Sequence, residues 1–264
     1  MSYKDITFEQ EGYTAVVTLN RPQTFNALSA GLRSDLHAAL KEVTENDDIR
    51  ALVITGAGRG FCSGADLSGP RPEPPDNQNF KMDDLEWMGR LALVLYELEK
   101  PIIGAINGIA AGAGMSLALA CDLRVGSEKS GFKTVFMERA ISPDTGMTFF
   151  LPRIVGYSRA IDLIISCRRI DCHEAYRLGL LDRLVDHENL MEEALKLAGE
   201  IGFWPPLAVR STKRVLKRNM EEPSLANALR NEVSGLYFAR RAVKDQEESA
   251  KSWVEKRPPK FTGK

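Results

Sequence analysis

Residues 101–122 read PIIGAINGIAAGAGMSLALACD, and the fold follows from how this stretch changes character along its length. Ile102, Ile103, Ala105 and Ile106, around Gly104, give a short apolar strand. Asn107-Gly108 is a turn dipeptide. Ala110-Ala111-Gly112-Ala113-Gly114 then carries almost no side-chain bulk, and a helical run continues through Met115, Leu117, Ala118 and Leu119. A helix start leaves backbone N–H groups without partners. With only glycine and alanine around them, an anionic oxygen can approach those groups closely. The same composition also suits tight packing of a buried helix, and the stretch alone leaves both readings open.

The rest of the composition narrows the class. The chain has 264 residues, 44% hydrophobic and 27% charged, which reads as an ordinary soluble globular protein. Such a length can bury roughly 70–75% of the unfolded surface. One large domain, or one with a helical appendage, is expected. The net charge of -1 provides no basic field for nucleic acid. The opening MSYKDITF has no apolar signal core, and no run approaches the ~20 apolar residues of a membrane span. A cytoplasmic protein with no membrane partner is therefore expected. Cys62, Cys121, Cys167 and Cys172 lack CxxC spacing and read as reduced, mostly buried thiols. His37, His173 and His187 are scattered without metal-ligand spacing, so no metal is expected.

Along the chain, residues 6–9 and 13–19 read as a hairpin about Gly12. Ser29 caps a helix to about residue 45, with Leu32, Leu36, Ala39, Leu40 and Val43 on one face. Residues 51–55, ALVIT, form a strand buried on both faces. Residues 68–81 hold Pro70, Pro72, Pro74 and Pro75 and read as a mobile surface flap. Leu85, Met88, Leu91, Leu95 and Leu98 mark an amphipathic helix. Short strands are expected at 123–126, 131–133 and 181–185, and helices at 145–153, 158–166 and 171–178. Residues 188–201, 206–220, 224–241 and 245–255 are helical, with an apolar seam of Leu225, Leu229, Val233, Leu236 and Tyr237. An α/β core at 1–200 followed by a helical C-terminal subdomain at 201–264 is the expected organisation. No repeat of fixed period is visible.

Several motifs carry competing readings. Gly56-Ala57-Gly58-Arg59-Gly60 misses GxGxxG, because Phe61 stands at the third glycine position, so a dinucleotide site is not supported. Ser116, Asp144 and His173 follow the chain order of an α/β-hydrolase triad, but Ser116 lies inside a helix, away from a sharp turn. Asp144, just before a helix, reads as an N-cap worth about 1 kcal/mol. Lys251, Lys256, Arg257, Lys260 and Lys264 make a basic C-terminal end whose simplest reading is a solvated face and a frayed tail.

Three segments together resemble the enoyl-CoA hydratase/isomerase, or crotonase, superfamily. They are Asn20-Arg21-Pro22 with Asn26-Ala27-Leu28, Phe61-Cys62-Ser63-Gly64-Ala65-Asp66-Leu67, and Ala105-Ile106-Asn107-Gly108 with Gly112-Ala113-Gly114 and Cys121-Asp122. The likeness continues through Leu151-Pro152-Arg153 and Gly179-Leu180-Leu181-Asp182 and so spans nearly the whole chain. The resemblance implies a crotonase-like ββα spiral with a helical tail and a homotrimer or dimer of trimers. It also implies an acyl-CoA thioester substrate, with coenzyme A as part of that substrate and no further cofactor. By motif, it gives the N–H groups of Ala65 and Ala113 the task of binding the thioester oxygen as an enolate.

The departures from the family pattern narrow the chemistry. Family hydratases carry glutamates at two positions that here hold Ser116 and Phe136, and hydration needs two such groups. What is left is Asp144, aligned with an aspartate that several family isomerases use. The pattern is most similar to 1,2-epoxyphenylacetyl-CoA isomerases, with a Δ3-Δ2 enoyl-CoA isomerase as the related possibility. Hydrolysis of a β-diketone or thioester, and a non-catalytic acyl-CoA- or RNA-binding relative, are the alternatives. The resemblance further points to Arg21, Thr24 and Phe25, to Ser63, Asp66, Leu67, Gly112, Ser116 and Phe136, and to Phe261 and Lys264 at the nucleotide end, as substrate or CoA contacts.

Overall fold

The expected opening hairpin forms as β1 (Ile6–Glu11) and β2 (Thr14–Leu19), turning at Gly12 with φ +55°. The structure is a computed structural model and describes residues 3–68 and 76–264. The remaining strands are β3 (Ala51–Gly56), β4 (Gly60–Cys62), β5 (Ile102–Ile106), β6 (Ile109–Ala111), β7 (Leu123–Ser127), β8 (Gly131–Lys133), β9 (Ile170–Asp171) and β10 (Arg183–Val185). The helices of the first half are α1 (Ala30–Glu45), α2 (Gln78–Lys81), α3 (Glu86–Glu97) and α4 (Ala113–Ala120). They are followed by α5 (Met147–Val155), α6 (Tyr157–Ser166), α7 (Cys172–Leu178) and α8 (Leu190–Gly202). The chain ends in α9 (Pro206–Asn219), α10 (Leu225–Ala239) and α11 (Val243–Glu255).

Strands β1, β2, β3, β5, β7 and β10 lie side by side in one sheet, parallel after the opening pair. Strands β4, β6 and β8 run parallel in a second sheet, which β9 closes antiparallel. Each pass of the chain (β3–β4, β5–β6, β7–β8) gives one strand to each sheet before a helix follows, which is the ββα spiral implied by the resemblance. Every residue of β3 and β5 is buried, because both faces of the large sheet are covered. On one face, Leu190, Ala194 and Leu197 of α8 meet Val53, Ile103 and Val125. On the other, Leu32 and Leu36 of α1, Leu91 and Leu95 of α3 and Met115 of α4 share a core with Leu52 and Ile54.

The central stretch differs from the sequence reading in one respect. The strand that feeds α4 is β6, not β5: Ile109, Ala110 and Ala111 leave the large sheet for the small one before the helix begins. The small residues there are required by packing. A Cβ on Gly114 would stand 2.1 Å from the Cys62 carbonyl oxygen, and one on Gly108 would stand 2.1 Å from that of Arg59.

The structure bears on three further expectations, and one of them, the frayed tail, is corrected. Of the proposed flap at 68–81, residues 69–75 lie outside the described residues, while Gln78–Lys81 is a helical turn capped by the Asn77 side chain on the Phe80 N–H. The apolar seam of α10 is not a core contact: Leu225, Leu229, Val233, Leu236 and Tyr237 are all exposed. Its buried residues are Asn231 and Gly235, because α10 meets α9 through small and polar groups: Ser211 Oγ donates to the Gly235 carbonyl at 2.7 Å. The C-terminal tail is tied down and not frayed. The Asp245 carboxylate accepts from the N–H groups of Thr262 and Gly263 at 2.7 and 2.9 Å, and Glu248 pairs with Arg257. Among the described residues, no helix is long and apolar enough to cross a membrane.

The close approach at Gly114 is testable. The Cys62 carbonyl belongs to a strand paired with β6 and cannot yield as a side chain would. Gly114→Ala is expected to cost about 3 kcal/mol, the upper part of the overpacking range, which lowers the melting temperature by roughly 6–12 °C. A thermal melt that superimposes on that of the unaltered protein would refute the packing account.

Candidate active site

Two backbone segments meet where the two sheets hand over to α4. Gly64, at φ +93°, lies so close to β6 that a Cβ there would be 2.7 Å from the Ala111 oxygen and 3.3 Å from the Ala113 nitrogen. Gly112, at φ +51° and ψ -124°, turns the chain from β6 into the helix and leaves Ala113 as its first residue. The N–H groups of Ala65 and Ala113 thus flank one contact, and neither donates to another group among the described residues. Two free N–H donors side by side, one at a helix N-terminus, make a site for a partly negative oxygen.

Side-chain braces hold this contact in place. Arg21 Nη1 donates to the Ala27 carbonyl at 2.9 Å and pairs with Asp66 Oδ2 at 2.6 Å, joining the loop after β2 to the one that carries Ala65. Hydrogen bonds from the Ser68 hydroxyl and N–H, together with Arg21, hold the Asp66 carboxyl down at about 2. Ser63 Oγ donates to the Thr24 carbonyl, and the Ser63 N–H to that of Phe25, at 2.9 Å each. The sequence reading passed over two asparagines that act here. Asn26 donates to the carbonyls of Ala57, Gly60 and Phe61, and Asn107 donates to those of Gly58 and Gly60. Asn107 is therefore a bracket for the 56–61 turn as well as a turn residue. The signal that could have found it was an amide side chain between two strands that bury every neighbour.

Asp144, on the loop that leads into α5, lies beside α4. Ser116, in the helix's first turns and fully buried, donates its hydroxyl to the Asp144 main-chain oxygen at 3.4 Å. The expected N-cap role is corrected: α5 is capped by Gly146 in a left-handed conformation with no side-chain bond. The Asp144 carboxylate instead accepts from the Thr145 hydroxyl at 2.9 Å. Burial raises its pKa above the ordinary carboxylate value, and the Thr145 bond partly opposes that. Phe136 is buried in the main core, with its carbonyl accepting from the N–H groups of Arg139 and Ile141. Val135 at φ +58°, Ala140 at +53° and Thr145 at +51° put left-handed backbone on this side of the site, a kind of strain that gathers at functional positions.

The other expected contacts divide. Leu67 and Phe25 are exposed, and the Arg59 guanidinium lies 5.4 Å from the Phe25 ring. The Thr24 hydroxyl is engaged by the Arg21 carbonyl at 3.2 Å. Phe261 is buried at 7% exposed, and its carbonyl accepts from Arg50 at 2.7 Å, so the chain itself covers most of it. The Lys264 main-chain oxygen accepts from the Lys244 N–H at 2.8 Å, while its side chain is exposed. His173 does not join Ser116. It is exposed in the first turn of α7 and lines a separate cavity of about 690 Å³ with Glu128, Leu184 and Asp186. An apolar groove of about 730 Å³, between Tyr96, Leu119, Phe149, Trp204 and Leu216, is likewise separate from Ala65 and Asp144.

Similarity to known proteins extends along nearly the whole chain. The sequence model of the family described as enoyl-CoA hydratase/isomerase matches residues 9–264. The chain is 33% identical over 260 residues to the short-chain-enoyl-CoA hydratase of Clostridium acetobutylicum, covering 97% of each chain. It is 34% identical over 252 residues to the 1,2-epoxyphenylacetyl-CoA isomerase of Escherichia coli, covering 94% of each. The solved structure of an enoyl-CoA hydratase from Bacillus anthracis superposes with a TM-score of 0.90 at 32% identity, covering 99% of this chain and 100% of that one.

The burial of Asp144 sets the sign of a stability measurement. Its folded pKa lies above the unfolded value of about 3.9, so its contribution to stability is full below that value and is lost as pH rises through the folded pKa. Asp144→Asn removes the buried charge and can still accept from Thr145. It is expected to melt at or above the unaltered protein at pH 8, with the difference closing as pH falls toward about 4. A loss near the ~1 kcal/mol of a removed cap at pH 8 would restore the capping role.

Proposed function

The chain belongs to the enoyl-CoA hydratase/isomerase family, and on that premise we propose that it is an acyl-CoA isomerase working through a thioester enolate. One observation carries the reading. Asp144 stands beside the first turns of α4, half-buried and free of any capping duty, while the two hydratase glutamate positions hold Ser116 and Phe136. A 1,3 proton shift needs one carboxylate, which takes a proton from the α-carbon and returns it two carbons away. Hydration needs a second group to activate water. A hydrolase led by Ser116 is disfavoured, because its buried hydroxyl is given to a carbonyl and meets no histidine among the described residues.

In this mechanism the thioester oxygen accepts from the Ala65 and Ala113 N–H groups as it gains charge. Such preorganised donors contribute on the order of 3–4 kcal/mol each, and the dipole of α4 adds to the second. Arg21 and Asp66 hold the Ala65 loop in position, and Gly112 and Gly64 let the two loops touch. Phe25, Thr24 and the Lys264 side chain are the proposed CoA contacts, and Leu67 borders the acyl group. A 3-enoyl thioester or a ring-epoxidised, non-aromatic phenylacetyl thioester fits this chemistry, and the Escherichia coli relative named 1,2-epoxyphenylacetyl-CoA isomerase supports the second. The exposed apolar face of α10 supports a homotrimer or dimer of trimers, because burying Leu229, Val233 and Leu236 against another copy removes that area from water.

Asp144→Asn is expected to bind acyl-CoA and to lose isomerisation by at least ~100-fold, with no deuterium entering the α-carbon from D2O by NMR. Isomerisation at the unaltered rate would move the chemistry to another group. Leu229→Glu together with Leu236→Glu is expected to yield monomers by light scattering, and an unchanged mass would place the subunit contact elsewhere.

A further inference from the structure

Thr145 is an odd choice for its position. It sits at φ +51°, a region where a β-branched side chain is an outlier, and its neighbour Gly146 follows at φ +79°. It is buried at 3% exposed, and its hydroxyl donates to Asp144 Oδ1 at 2.9 Å. The Asp144 main-chain oxygen is held twice, by the Met147 N–H at 3.0 Å and by Ser116 Oγ at 3.4 Å. Asp144 is thus fixed at its backbone and at one carboxylate oxygen. Among the described residues, Oδ2 receives no donor. Strain of this kind persists only where surrounding contacts over-determine it.

We propose that Thr145 is a positioning residue that holds Asp144 Oδ1, so that Oδ2 alone takes and returns the substrate proton. The proposal rests on the reading of Asp144 as the proton carrier. With the Cα–Cβ bond set by the backbone, the hydroxyl fixes rotation of the carboxylate plane, which a lone carboxylate needs if the same oxygen must serve both carbons. A merely turn-closing role would require the shape of threonine and not its hydroxyl.

The charged groups on the elements packed around Asp144 leave this bond without a rival. Arg90 of α3 is paired with Asp83, Arg153 of α5 lies over the Phe149 ring, and Glu138 of the 137–139 turn is paired with Lys133. Among the described residues, Glu86, Tyr96 and Glu97 of α3, Arg139 of that turn, and Tyr157, Arg159 and Asp162 of α6 are the others, and α4 carries none. Burial and the Thr145 hydroxyl are the two influences on the carboxyl, and they act in opposite directions. Without the hydroxyl, burial stands unopposed, so the acid limb of activity moves to higher pH.

Thr145→Val keeps the branched shape and removes the donor; Thr145→Ser keeps the donor; Thr145→Ala has neither the donor nor the branch. With an isomerisable acyl-CoA and Asp144→Asn measured alongside, Thr145→Val and Thr145→Ala are expected to lose kcat by roughly 10- to 100-fold. KM should stay within about twofold, and the acid limb of kcat should move up. Thr145→Ser is expected to recover kcat to within about threefold. Should Thr145→Val fail to fold, the Ser and Ala variants decide, since they differ only by the hydroxyl. Equal kcat in those two would overturn the positioning role while leaving Asp144 as the carrier. Full activity in Asp144→Asn would instead overturn the reading beneath it.

Discussion

The contact between the backbone of β4 and the first turn of α4 is the constraint on which the rest of the molecule depends. No side chain fits between the Cys62 carbonyl and Gly114, or between the Ala111 carbonyl and Gly64. The end of β4, the end of β6 and the start of α4 can therefore meet only where glycine allows main chain to lie on main chain. That same closeness leaves the Ala65 and Ala113 amides without an acceptor among the described residues. Packing accounts for the small-residue run, and the anion site we propose uses the same arrangement.

A site made of amides moves wherever its loops move, and the molecule spends its buried polar side chains on preventing this. Asn26 and Asn107 both close on the 56–61 turn. Arg21 and Asp66 clamp the loops on either side of Ala65, and with its carboxyl held at about 2 the pair stays ionic throughout the neutral range. On the opposite side, Ser116 and Thr145 hold the loop of Asp144 through its carbonyl and its carboxylate. For the reaction proposed here, fixed dipoles and one fixed carboxylate leave little to reorganise as charge develops.

The helical end of the chain inverts the usual order. Helices α9 and α10 meet through Ser211, Gly235 and a hydrogen bond between Asn231 and Asn219, while the leucines of α10 face outward. Polar groups hold the pair together, so the apolar face is left for another surface. The tail returns along α11, where Asp245 and Glu248 accept its backbone N–H groups. A run of basic residues that reads as a loose end is thereby drawn into the fold by two carboxylates.

What the sequence determined by itself was local and compositional. The apolar run of residues 51–55 named a doubly covered strand, Ser29 named a helix start, and the glycines of residues 104–114 named a close approach, because each signal lies within a few residues of its effect. The motifs also led to the family, and the resemblance they carry named Ala65, Ala113 and Asp144 for the proposed site. Tertiary structure decided the rest. It made β6 the strand before α4, turned Asp144 from cap to a carboxylate held by Thr145, showed Thr145 strained against it, buried Phe261, and exposed the α10 seam. The ββα passes begin at Ala51, Ile102 and Leu123, at uneven spacing, so no period announced them. Each of these outcomes depends on which distant backbone lies within hydrogen-bond reach. Sequence spacing carries no information about that distance until the sheets have formed.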